Sequence, residues 1–314
     1  MKAVQILGDA SRPIISINHC MEKPTPSNAD ILVHVHAAGV TGDELGWPEL
    51  YQTPTRIPGH EISGRVAALG PKYSGPLIVG QEVFCFLSAD SGAGQADFVL
   101  CSAQEVAPKP AQLSHAEATA LPIPVLTAWE GILNHANLAS DSRVLVTGAS
   151  GAVGRMIVQL VKCLTEAYVI ALASTRNHDI LRSIGAEEAI DYNRPRWETS
   201  IHNVDFVFDT VGGDILAKTW EVVKSDGTIV TVGDPAPAWA FGQQTASEVS
   251  KYPGIKHVYF VVAPHLDRLM KASRMLEAGL LKPLPVKVFP FTQTEEAWRY
   301  AQQRGRGEKV VIEF

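Results

Sequence analysis

The stretch VLVTGASGAVGRMIVQL, Val144 to Leu160, decides the fold. Val144–Thr147 is a short apolar run of strand type, and Gly148, Gly151 and Gly154 follow it at intervals of three. Apolar residues at helical spacing begin at once behind them. A strand that turns directly into a helix needs small residues if backbone amides are to approach a pyrophosphate at the helix N-terminus. Gly154 lets the helix pack closely on its strand. The turn Gly148, Ala149, Ser150, Gly151, Ala152, Val153 and Gly154 therefore reads as a dinucleotide cradle. A tight turn that binds nothing is the alternative, and the strand before, the helix after and a second strand about 20 residues on weigh against it.

That second strand ends ALASTRN, with Ser174, Thr175 and Arg176 and no carboxylate. A site for NAD usually places Asp or Glu here to hold the ribose 2′-hydroxyl. Arg176 instead suits a 2′-phosphate, which an acid would repel, so NADP(H) is the expected cofactor. Outward from the turn, strands and helices alternate through VDFVFDTVG, LAKTWEVVKS and GTIVTVG. Apolar strands separated by helices indicate an α/β unit with a doubly wound parallel sheet buried on both faces. The N-terminal part differs. ILVHVHAAGV, Ile31 to Val40, alternates as a half-buried strand does, and EISGRVAALG, GQEVFCF and ADFVLC add short strands punctuated by Gly and Pro, the pattern of a small antiparallel barrel. Around residue 115 the composition turns helical, with Ser114 and Glu117 spaced for a capping box. The tail LPVKVFPF, TEEAWRYAQ and EKVVIEF reads strand, helix, strand and is expected to fold back onto the first part.

The 314 residues, 46% hydrophobic and 19% charged, suit a soluble chain of about two domains. A net charge of −6 advertises neither a nucleic-acid nor an anionic-membrane surface. Cys20, Cys85, Cys101 and Cys163 are scattered, without a CxxC pair, which argues against a disulfide framework and a thiolate zinc lobe. With no signal-type apolar run, a cytoplasmic location is the default expectation.

These pieces resemble the medium-chain dehydrogenase/reductase superfamily, in its quinone-oxidoreductase-like and enoyl-reductase-like branch. The matching segments, in order along nearly the whole chain, are AAGVTGDE, PGHEISGRV, AQEVAPKPAQLSHAEATALPIPVLTAWEGI, VTGASGAVG, LRSIGAEEAIDY, VFDTVGGD and GEKVVIEF. The resemblance implies a GroES-like β-barrel catalytic domain over 1–120, completed by 282–314, and an inserted Rossmann domain over 121–281. It implies Ser174, Arg176 and Tyr192 at the 2′-phosphate, and Val232, Gly233, Phe260 and Val261 near the nicotinamide, where hydrophobic core is the competing reading for the last four. Homodimers are usual in the family, and some members are monomers.

Zinc-dependent relatives hold a catalytic zinc by a Cys, the His of GHE and a later Cys or carboxylate. Transferred here, those positions fall on Thr41, His60 and Ile123, and zinc held by one histidine would not stay. An oxygen-rich site from Asp43 or Glu44 with His60 and Glu61 is the remaining alternative. The expectation is a metal-free enzyme that uses NADPH to reduce an enone, enoyl thioester or quinone, a small hydrophobic substrate. By resemblance Tyr51, in WPELYQTPTRIPGHE, is the candidate proton donor, Thr41 or Asp43 a partner for a substrate oxygen, and His60 a polar wall of the same cleft. Trp47 and Trp239 are candidate aromatic walls, and the loop GDPAPAWAFGQQ a candidate specificity loop. Two readings compete: an alcohol or ketone oxidoreductase with a degenerate or unusual metal site, and a catalytically silent NADPH-binding protein.

Overall fold

A computed structural model describes residues 1–242 and 247–314. The last two residues of the proposed specificity loop, Gln243 and Gln244, lie outside the described residues. The chain divides into two compact units, Met1–Leu126 with Ala263–Phe314, and Thr127–Val262.

In the second unit six parallel strands lie in the spatial order Glu188–Ile190, Tyr168–Leu172, Arg143–Thr147, Val204–Asp209, Val223–Thr231 and Lys256–Tyr259. Chain order runs outward from Arg143–Thr147 in one direction and then from Val204–Asp209 in the other, so the order reverses between these two strands. Crevices at such a reversal are where doubly wound sheets bind ligands. The helix Ala152–Leu164 buries Met156, Ile157, Val158, Leu160 and Val161, each contributing about 1.5–3 kcal/mol. Sequence reasoning reads this helix and five of the six strands, the fifth of them in KHVYFVV (256–262); the three-residue strand Glu188–Ile190 is too short to carry a pattern.

The first unit is built on a seven-stranded sheet joining Val286–Pro290, Lys309–Glu313, Ile31–Val40, Glu61–Leu69, Glu82–Phe86 and Val106–Pro108, with Phe98–Cys101 paired to Ile31–Val40. All pairings are antiparallel except Val286–Pro290 with Lys309–Glu313. The tail does fold back: Lys309–Glu313 pairs with the Ala37–Val40 end of the central strand. That central strand departs from its expected half-burial, because every residue from Ala37 to Val40 is buried. The helix His115–Thr119 covers it, and Thr119 Oγ1 donates to the Ala37 carbonyl at 3.1 Å. The helix opens with the expected capping box between Ser114 and Glu117. The units change over later than residue 120 and return earlier than residue 282, because the helix Leu266–Glu277 belongs with the barrel. Ser273 Oγ on that helix donates to the Pro108 carbonyl at 3.2 Å.

Candidate active site

The dinucleotide turn is assembled as its sequence requires. Gly148 has φ +59°, and a Cβ there would lie 2.4 Å from Thr210 Oγ1. A Cβ on Gly154 would lie 2.4 Å from the Gly148 carbonyl oxygen and 2.6 Å from the Ala149 Cα. At Gly148 the positive φ and the Thr210 side chain disfavour any other residue, and at Gly154 only glycine fits without moving backbone. Ala149 N–H donates to the Leu172 carbonyl at 3.3 Å and Gly151 N–H to the Gly148 carbonyl at 2.8 Å, which fixes the loop. Ala149 is buried, Ser150, Ala152 and Val153 are half-buried, and Gly151 is exposed. The amides of the first helical turn have no partner within the helix, so they suit an anion. These residues fit a dinucleotide.

After the second strand Ser174 is half-buried, Arg176 exposed and Tyr192 47% exposed. Ser174 Oγ accepts from Asn177 Nδ2 at 3.0 Å. Thr175 Oγ1 donates to Asp191 at 2.6 Å, and this bond holds the Asp191 carboxyl below its ordinary range. At the other strand ends Gly233 is buried, Val232 and Phe260 are half-buried, and Val261 is 72% exposed. Val232 and Phe260 line one small apolar hollow with Thr127, Gly131 and Ile157. The ring of Phe260 lies 5.1 Å from that of His135, centroid to centroid. Trp239 packs edge-on to His257 at 4.8 Å against the core cluster of the same unit.

Sequence reasoning did not find Asp209, which is 1% exposed at the end of its strand. Its Oδ1 accepts from Thr147 Oγ1 at 2.5 Å and from Val211 N–H at 3.3 Å. Its Oδ2 accepts from Thr231 Oγ1 at 2.6 Å and from Gly212 N–H at 3.0 Å. The signal was present in VFDTVGGD as an acid at the end of an apolar strand, where burial demands partners.

In the barrel unit, His60 is 5% exposed and both ring nitrogens face acceptors. Nδ1 lies 3.2 Å from the carbonyl oxygens of Leu87 and of Ser88, and Nε2 lies 3.3 Å from Glu44 Oε1. Burial by itself lowers the basicity of this imidazole. The Glu44 carboxylate and the two carbonyls outweigh it, and the His60 pKa is raised. Glu44, expected beside His60 only as a possible metal ligand, is fully buried; its Oε1 also accepts from Gly59 N–H at 2.6 Å, while Oε2 takes no donor among the described residues. The Trp47 ring leans on His60 with centroids 5.3 Å apart, and Trp47 Nε1 donates to Asp43 at 3.2 Å. Thr41 is half-buried and Asp43 exposed. The Tyr51 hydroxyl donates to the Leu45 carbonyl at 2.7 Å, its ring packs on the cluster around Leu50 and Trp298, and burial raises its pKa. The expected proton donor thus directs its proton into backbone in this arrangement.

A catalytic zinc does not fit these residues. His60 spends both nitrogens on acceptors, and Thr41 and Ile123 occupy the other two ligand positions. Glu61, the other half of the motif, is 1% exposed; it accepts from Ile123 N–H at 2.9 Å and pairs with Lys309 Nζ. Among the described residues no group of three or more His, Cys, Asp and Glu is placed to hold a metal.

Two family descriptions match the chain: the alcohol dehydrogenase GroES-like domain over residues 27–111 and the zinc-binding dehydrogenase over residues 184–312. A probable zinc-binding oxidoreductase, mitochondrial, from Arthroderma benhamiae is 30% identical over 92% of this chain and 91% of its own. The chain belongs to the medium-chain dehydrogenase/reductase family. It is also similar to the NADPH-dependent alkenal/one oxidoreductase, chloroplastic, of Arabidopsis thaliana, at 30% identity over 82% of this chain and 63% of that one. The crystal structure of the CurK enoyl reductase superposes with a TM-score of 0.84 at 27% identity, covering 99% of this chain and 98% of that one. This member of the family is an oxidoreductase with a nicotinamide cofactor site. No helix among its described residues is long and apolar enough to cross a membrane.

The His60–Glu44 pair makes a specific pH prediction. A histidine whose pKa is raised by folding stabilises the fold fully below its unfolded value of about 6.5 and loses that contribution as pH rises through the folded value. In Glu44→Gln the largest raising partner is gone, and only the Leu87 and Ser88 carbonyls are left to oppose burial, so the pKa falls. The variant should therefore lose most stability relative to wild type at about pH 6, and less at about pH 9. Urea denaturation at the two pH values, with the His60 ring titration followed by NMR, tests this; an unchanged His60 titration would refute it.

Proposed function

We propose that the protein is an NADPH-dependent reductase of activated carbon–carbon double bonds or quinones that works without a metal. The observation carrying the metal-free part is the commitment of both His60 nitrogens to Glu44 and to backbone carbonyls. The glycine turn with Ser174 and Arg176 beyond the second strand supports NADPH. Similarity to an alkenal/one oxidoreductase and an enoyl reductase supports the acceptor class.

In this reading the backbone of Gly148–Gly154 holds the pyrophosphate, and Arg176, Ser174 and Tyr192 take the 2′-phosphate. Val232, Gly233, Phe260 and Val261 border the nicotinamide. When bound, the cofactor supplies a hydride, which goes to the β-carbon of an enone or enoyl thioester. Negative charge then develops on the carbonyl oxygen, and donors aimed at it supply the stabilisation. Thr41 is the candidate donor, since Asp43 ionised can only accept. His60 is held in one orientation by Glu44 and by the Leu87 and Ser88 carbonyls. Tyr51 becomes a loop-bracing residue through Leu45, and a proton for the α-carbon comes from another group or from water.

The deciding experiment follows NADPH oxidation by chelator-treated protein with an enone, an enoyl thioester and a quinone. Turnover without metal is expected. Activity lost on chelation and restored by zinc would sink the metal-free reading in favour of an unusual metal site. Tight NADPH binding with no turnover on any acceptor would favour a catalytically silent protein. Arg176→Ala is expected to weaken NADPH by at least about tenfold and leave NADH unchanged.

A further inference from the structure

We infer that Asp209 is a positioning residue that fastens the two halves of the cofactor site to one another through Thr147 and Thr231. The inference rests on the cofactor reading above and adds a specific device to it. Thr147 immediately precedes Gly148, where the phosphate turn begins, and Thr231 immediately precedes Val232 and Gly233 at the proposed nicotinamide edge. These two threonines end strands that flank Val204–Asp209 on either side. A single carboxylate between them accepts both hydroxyl protons.

The hydroxyls pass the constraint onward. Thr147 Oγ1 accepts from Thr210 N–H at 3.2 Å, and Thr210 Oγ1 returns a bond to the Thr147 carbonyl at 2.9 Å. Thr210 Oγ1 is also the atom that bars a side chain at Gly148. On the other side Thr231 Oγ1 accepts from Gly233 N–H at 3.0 Å. Gly212 N–H, held by Asp209, packs directly under Gly233, where an added Cβ would lie 2.3 Å from it. The lip of the sheet is therefore tied across the point where strand order reverses. Among the described residues the donors to Asp209 are hydroxyls and amides of that lip, and no cation is among them. Hydrogen bonds to a buried carboxylate are among the stronger ones, so their loss should be felt where the lip meets the cofactor.

The test compares Thr231→Val with Thr231→Ser. Valine keeps the shape and removes the hydroxyl, so it cuts both the bond to Asp209 and the acceptor for Gly233. Serine restores both. Thr231→Val is expected to raise the Kd and KM for NADPH by about tenfold while the KM for the enone acceptor stays within about twofold. Thr231→Ser should return the NADPH values to within about threefold of wild type. A purely structural role would lower the melting temperature without separating the two KM values. Thr147→Val is the second variant, with the same expected split, and is decisive if Thr231→Val does not fold. Unchanged NADPH affinity in the folded variants, with wild type binding NADPH normally, overturns the positioning role alone. Wild type that binds neither NADPH nor NADH overturns the cofactor reading, and the positioning role with it.

Discussion

Gly154→Val is expected to weaken NADPH binding by about 100-fold, with Gly154→Ala intermediate near tenfold. The argument is steric and local. A Cβ at this position meets the Gly148 carbonyl oxygen at 2.4 Å, the Ala149 Cα at 2.6 Å and the Ala149 carbonyl carbon at 3.0 Å. All three atoms are backbone, so no rotamer change can move them aside. Either the helix Ala152–Leu164 shifts away from its strand or the turn opens. The helix is held by five large buried side chains, and shifting it would open voids around them. The turn is the softer element and should give way, displacing the amides that would meet the pyrophosphate. Overpacking of this kind costs about 1–3 kcal/mol, and the upper part of that range corresponds to the loss expected for valine. Fluorescence titration with NADPH, beside circular dichroism to establish folding, checks it. A folded Gly154→Val protein that binds NADPH within about threefold of wild type would show that the turn does not hold the cofactor.

Much of this arrangement was legible in the sequence because its causes are local. The Val144–Leu160 stretch contains its own strand, turn and helix; Gly148 supplies the positive φ of the turn and Gly154 the close approach of backbone to backbone. The capping box at Ser114 and Glu117 is likewise a matter of four adjacent residues. What escaped were relations between distant residues. Alternation in Ile31–Val40 suggested one solvated face, yet a helix contributed by residues 115–119 lies over the strand. Glu44 and His60 were brought together only as alternative metal ligands, and nothing periodic over the sixteen positions separating them announces that they bond directly to each other. Asp209 gathers hydroxyls from strands on both sides of its own, so its role follows from sheet order, which a single strand cannot specify. Tyr51 was placed by resemblance at a motif whose spacing differs here, and its hydroxyl is engaged by Leu45.

The Glu61–Lys309 pair should carry the largest effect on stability. Lys309→Met is expected to destabilise the barrel unit by about 3–5 kcal/mol, because it strands a buried carboxylate. Glu61 is 1% exposed and Lys309 8% exposed, and among the described residues the only other donor to Glu61 is Ile123 N–H. One amide cannot replace a cation beside a charge removed from water. The pair also joins elements far apart in the chain: Glu61 opens the strand that follows the PGH turn, and Lys309 opens the closing strand Lys309–Glu313. Loss of the lysine should therefore loosen that closing strand first. Hydrogen exchange should accelerate across Lys309–Glu313, alongside a lower urea midpoint. Glu61→Gln in the Lys309→Met background should recover much of the loss, since a neutral amide still accepts from Ile123 without an unpaired charge. If the double variant is less stable than the sum of the two single changes, or if Lys309→Met lies within about 0.5 kcal/mol of wild type, the pair is not what retains Glu61. The His-Glu motif then separates into two jobs done by neighbouring residues. His60 turns inward to Glu44 with both ring nitrogens facing acceptors, while Glu61 turns to Lys309 and closes the barrel, each carboxylate oxygen already serving a donor.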